Sequence, residues 1–143
     1  MAGSRAAVWV LWAGFAALLA LEFAFAYLAP SREHPWYDAQ VSVAGFVLAL
    51  LALITGVGTF TLRESLALRE IRAGALDPST PAGYARVRLM LIVLWTLCLV
   101  IGLLGCGLAW GAASPRAALP YLVGAAVLLA FHAPRRRIFE GGG

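Results

Sequence analysis

Few side chains in this sequence are equipped for chemistry, and they are scattered. Glu22 is the only charge between Ala6 and Leu28, in the apolar run "LALEFAFAYLAPS". A carboxylate in such a run suits proton or cation exchange, or a hydrogen bond to another helix. His34 stands beside Glu33 and Pro35, close to Asp38. A divalent ion accepts donors of those types, yet one His and two acids in a proline-bent segment read as a solvated loop. His132 precedes "APRRR" and reads as an end-of-helix residue. Haem ligation there has no visible second ligand. Cys98 and Cys106 share one apolar run. On a helix they lie about 12 Å apart, too far to bridge, and serve as small packing residues. The sequence shows no nucleophile with a base, no phosphate-cradling glycine loop and no CxxC pair. The expectation is a chain without catalytic residues, metal site or cofactor.

The elements that must hold these residues follow from composition. Of 143 residues, 62% are hydrophobic and 13% charged, which is a membrane composition. All 11 basic residues are Arg. They flank apolar runs, and no soluble basic domain carries them, so nucleic acid is not an expected partner.

Four apolar runs predict an all-α, four-helix transmembrane bundle forming one membrane domain. They cover about residues 6–29, 41–62, 87–111 and 116–133. The first three reach the roughly 20 residues that a helix needs to cross about 30 Å of hydrocarbon. The fourth is shortest. Ser114-Pro115 predicts its cap and first turn, and Pro120 predicts a bend near its start. Nine Arg (5, 63, 69, 72, 86, 88, 135, 136 and 137) fall on one side, against Arg32 and Arg116 on the other. The positive-inside rule then places both termini in the cytoplasm of a bacterial-type inner membrane. Trp9 and Trp12 near one end of the first run, and Tyr27, Trp36 and Tyr37 near the other, suit interfacial belts. A rival reading makes Met1–Ala26 a cleaved signal peptide with Ala24-Phe25-Ala26 at the cut, although its apolar stretch exceeds the usual 7–15 residues.

Residues 63–86 predict a cytoplasmic helical hairpin, with Gly74 as a stop and Thr80-Pro81 opening the third helix. Arg69, Arg72, Arg86, Arg88, Arg135, Arg136 and Arg137 are the expected contacts to anionic headgroups or a partner. Small residues mark the expected helix contacts, because close backbone approach drives association in lipid. Ser42, Gly45, Ala49, Ala52, Gly56 and Thr59 form one stripe on the second helix, opposite Val43, Val47, Leu50 and Ile54. Cys98, Gly102, Gly105 and Ala109 form another. Ala13, Ala17, Ala20 and Ala24 form a third, and Ala126, Ala130 and Ala133 a shorter fourth.

At 100° per residue Glu22 points away from the Ala13–Ala24 stripe. If that stripe faces the bundle, Glu22 faces outward, about two turns from its helix end, at a cost of a few kcal/mol when ionised. A tilt toward the interface, a proton, Arg32 or Arg116, or a covering protein would offset the cost. Rotation of the helix would remove it.

The back half, "RLMLIVLWTLCLVIGLLGCGLAWG…LPYLVGAAVLLAFHAPR", resembles small bacterial four-helix membrane proteins over residues 86–137. That likeness implies a fold without a function. The glycine-dotted hairpin of helices two and three is faintly similar to rotary-ATPase proteolipid c subunits. Those carry a carboxylate in the second hairpin helix, and Val87–Gly111 has none. The resulting expectation is a non-enzymatic accessory or interaction subunit, in a homo-oligomer or larger membrane complex. The alternative is a small proton- or cation-coupled transporter using Glu22. A lipid-modifying enzyme would need a polar cluster that the sequence lacks.

Overall fold

The structure, a computed structural model, describes residues 2–28 and 43–135. Among them the chain is helical, with no strand. Helix α1 is Ala2–Tyr27 and α2 is Val43–Arg72. Helix α3 is Pro81–Gly111. A 3-10 turn, Pro115–Ala118, leads into α4, Leu119–Phe131. The segment holding Arg32, His34, Trp36 and Tyr37, together with Ser42, Arg136 and Arg137, lies outside the described residues.

The hairpin is built by local signals. Gly74 takes φ +70°, a left-handed conformation that costs glycine nothing and stops α2. Thr80 Oγ1 then accepts the Gly83 N–H at 3.1 Å, and Pro81 fills the first turn of α3, where its missing N–H has no partner to lose. Within α2, Glu64–Leu68 widens to a π turn as the chain leaves its apolar stretch, and Ala67 is fully buried there.

Helix α3 is the hub, and α1, α2 and α4 all pack on it. Phe15 meets Trp95 and Phe25 stacks on Trp110, so α1 runs parallel to α3. Tyr121 abuts Gly105 and His132 reaches Trp95, so α4 runs antiparallel. Half of α3's apolar window is buried (50%), against 11% for α1 and for α2. Exposed Leu, Val and Phe side chains cover the outer faces of both. Such faces are untenable in water and ordinary in hydrocarbon.

Among the described residues, three helices are long and apolar enough to cross a membrane. The fourth apolar helix, Pro115–Phe131, is shorter. Its α-helical part has 13 residues, about 20 Å, against a core of about 30 Å. Pro120 explains the shortfall. It lacks the N–H that would bond to the Arg116 carbonyl, and Leu119 N–H takes that carbonyl in 3-10 fashion. Pro120 therefore opens α4 and does not bend it from within. Ser114 precedes the turn without a side-chain capping bond.

Tryptophans close the helix ends. Trp12 Nε1 donates to the Leu129 carbonyl (3.2 Å) and Trp95 Nε1 to that of His132 (3.0 Å), both at the end of α4. Trp110 Nε1 donates to the Phe25 carbonyl (3.2 Å) near the end of α1. Last-turn carbonyls have no partner within their own helix, and in hydrocarbon no water replaces one.

Candidate functional site

Glu22 does not face outward. Ala13, Ala17, Ala20 and Ala24 are all exposed, whereas Val8, Leu19 and Ala26 are buried and Glu22 lies on their side. The rotated-helix alternative is the one realised. The reason lies in α3, whose contact line Cys98, Gly102, Cys106 and Ala109 is already small and buried. A groove of small residues takes large side chains, and α1 offers Phe15, Leu19 and Glu22. Two small faces together would have left a void.

The contact between Glu22 and Gly102 is tight. The carboxylate oxygen Oε2 occupies the space that a Cβ on residue 102 would need, and Leu19 Cδ1 lies 3.1 Å from the same point. Oε2 is buried and has no hydrogen-bond partner. The Glu22 carbonyl accepts the Cys106 thiol at 3.3 Å. An open groove of about 390 Å³ adjoins the carboxyl, lined by Leu18, Leu21, Phe25, Leu99 and Leu103. An unpaired carboxyl oxygen in apolar walls gains from a proton, a cation or a donated hydrogen bond. Arg116 is exposed on the 3-10 turn and forms no ion pair among the described residues.

The other small residues divide among different neighbours. Gly45 is buried and Ala49 exposed, while Ala52 and Gly56 are half-buried. A Cβ on Gly56 would meet Leu128 at 3.6 Å and Ile101 at 3.8 Å, which is ordinary contact. A Cβ on Gly105 would meet Tyr121 Cβ at 2.6 Å and the Ala118 carbonyl at 3.2 Å. On α4 the Ala126, Ala130 and Ala133 stripe is half-buried to exposed, and Leu122, Ala125, Leu129 and His132 face inward instead. On α2, Val43, Val47, Leu50 and Ile54 are exposed.

The arginines also divide. Arg72 pairs with Glu64, and Arg86 pairs with Glu70 at 3.4 Å while donating to the Leu66 carbonyl at 3.0 Å. The Arg86 pair braces the two arms of the hairpin, whereas the Arg72 pair stays within α2. Arg69 and Arg88 are exposed and form no ion pair among the described residues. Arg135 lies over the Phe131 ring, 5.7 Å from its centre, and Arg63 lies 5.3 Å from that centre. Phe60 packs on both Phe131 and His132.

His132 is buried at this junction, and its Nε2 is 3.2 Å from Thr59 Oγ1. Thr59 already donates its own hydrogen to the Gly56 carbonyl at 2.7 Å. His132 Nε2–H is therefore the donor of the pair, and Nδ1 is left as a buried acceptor without a partner. Arg63, Phe131 and the Thr59–His132 bond were not singled out by sequence reasoning. Thr59 belonged to a recognised stripe, but nothing local links residues 73 positions apart. No group of three or more His, Cys, Asp or Glu suited to a metal occurs among the described residues.

Comparison with protein-family models, with curated proteins and with solved structures finds no match to this chain, so its functional reading rests on its own chemistry.

Proposed function

We propose that this chain is a non-enzymatic accessory subunit of a bacterial-type inner membrane, packing against a second copy of itself or another membrane protein. The observation that carries this reading is the outward alanine face of α1. Ala13, Ala17, Ala20 and Ala24 are exposed, and a Cβ on neighbouring Gly14 would meet nothing within 4 Å. In lipid, such a face lets a neighbouring helix approach closely and gain dispersion contacts. The arginine bias supports cytoplasmic termini and a hairpin near anionic headgroups. The test is purification in mild detergent, followed by mass measurement and cysteine crosslinking at Ala17. A crosslinked pair or a co-purifying membrane protein is expected, and Ala17→Leu should weaken it. A clean monomer with no partner would refute the reading.

A second reading has its own observation. Glu22 Oε2 is buried and unpartnered in a groove with apolar walls, which suits a group that exchanges a proton or small cation. That reading requires Glu22→Gln to abolish flux in proteoliposomes, and unchanged flux would end it.

A further inference from the structure

Helices α2 and α4 both rest on α3 but diverge from each other away from the Thr59–His132 hydrogen bond. Between them lies an open apolar cleft of about 440 Å³, with Ile101 of α3 on its floor and Ala52, Gly56, Tyr121, Gly124 and Leu128 in its walls. The small residues Ala52, Gly56 and Gly124 keep the cleft wide. Gly56 is seven residues before Arg63, about 10 Å along α2, and Leu128 is seven before Arg135. Past that end of the cleft, beyond the Thr59–His132 bond, stand the Phe131 ring and its two guanidiniums.

That end is unusual in its charge. Arg63 and Arg135 both lie within 6 Å of the centre of one ring, and neither is in an ion pair among the described residues. Arg72 and Arg86, in contrast, have carboxylate partners. Two like charges beside one ring, with no carboxylate in ion-pair contact among the described residues, suit an anion, and guanidinium matches phosphate geometry. Arg63 also marks the end of the apolar stretch of α2, and Arg135 follows α4. The arginine pair thus stands about two helical turns beyond an acyl-sized apolar trough, a separation that one lipid headgroup and chain can span.

We propose that the α2–α4 cleft binds one anionic phospholipid, with its phosphate on Arg63 and Arg135 and an acyl chain over Ile101. This is a defined site of single stoichiometry, distinct from diffuse attraction of the hairpin to headgroups. It does not involve the alanine face of α1, so it stands or falls separately from the accessory-subunit reading.

Native mass spectrometry of the full chain from detergent tests it, with dioleoyl phosphatidylglycerol as the lipid probe and inorganic phosphate as the headgroup-only probe. One phosphatidylglycerol per chain should persist. Arg63→Gln and Arg135→Gln should each weaken retention about five-fold, as expected for one arginine near an anionic surface. Arg88→Gln, exposed and not placed over the Phe131 ring, should not. Ala52→Phe should displace the lipid with both arginines intact, and Arg63→Lys with Arg135→Lys should keep part of the binding. Circular dichroism identifies any variant that fails to fold, and the lysine pair then carries the comparison. Retention unchanged in the double Gln variant would overturn the proposal. So would displacement of the lipid by millimolar phosphate, because the cleft would then contribute nothing.

Discussion

Glu22 and Gly102 form a knob and socket across the α1–α3 contact: the carboxylate oxygen fills the volume that any side chain at residue 102 would claim. Gly102 is thereby tied to the one acid in the first apolar run, 80 residues away in sequence. The pairing accounts for both residues. Glu22 has an apolar helix face to enter only because α3 is open there.

The three contact glycines should rank by what blocks each added methyl. Gly105→Ala meets Tyr121 Cβ and a backbone carbonyl, neither of which can swing away. It should cost about 2–3 kcal/mol of stability. Gly102→Ala meets the end of a flexible side chain and should cost about 1–2 kcal/mol. Gly56→Ala has room and should be neutral or mildly stabilising. Unfolding of each variant in detergent gives the order, and a Gly56 variant as damaging as Gly105 would contradict it.

Gly102→Ala should be rescued in part by Glu22→Ala, which vacates the contested space. A double-mutant cycle should show a coupling of about 1 kcal/mol or more, as for other residues in contact. Additive effects would mean that Oε2 does not occupy the socket.

Trp95→Phe and Trp12→Phe each remove a donor from the last carbonyls of α4 while keeping a ring in place. Each should cost about 1 kcal/mol and raise hydrogen exchange around residues 128–133. Trp110→Phe should loosen the end of α1 and leave that segment unchanged. Uniform exchange across all three variants would show that the indoles act through general packing.

The hairpin turn should respond to acid in one direction only. The Ser79 backbone N–H bonds to Asp77 at 2.8 Å and, with the Ser79 hydroxyl, holds its carboxyl below the usual carboxylate range. A lowered value in the folded state means that the stabilisation is present above the unfolded pKa, about 3.9, and is lost as pH falls through the folded value. Protection of the Ser79 amide should therefore hold from neutral pH to about 5 and fade below about 4. Asp77→Asn should remove the pH dependence. Loss of protection on raising the pH from 5 to 7 would reverse the expected sign.

Gly83→Ala should break the same turn by a harder route. The added methyl would collide with the Asp77 backbone carbonyl, which has no rotamer to change. Destabilisation of about 2 kcal/mol or more is expected, with the damage confined to residues 73–84 in hydrogen exchange. Native protection there would show that the loop can slide around a methyl.

The amino-acid sequence by itself determined the helices, their apolar character and the hairpin's punctuation at Gly74 and Thr80-Pro81. Those features depend on hydropathy, period and backbone preference within a few residues, and each is local. It marked Glu22 and Gly102 separately. Which way α1 turns, and hence that these two meet, was decided only in tertiary structure. A helix with alanines on one side and Phe15, Leu19 and Glu22 on the other offers two usable faces. The choice between them belongs to α3, whose small residues leave a groove that large side chains fill and small ones cannot. The length of α4 and the meeting of Arg63 with Arg135 over Phe131 are of the same kind. The first turns on which donor reaches the Arg116 carbonyl, and the second on two helix ends brought together from opposite halves of the chain.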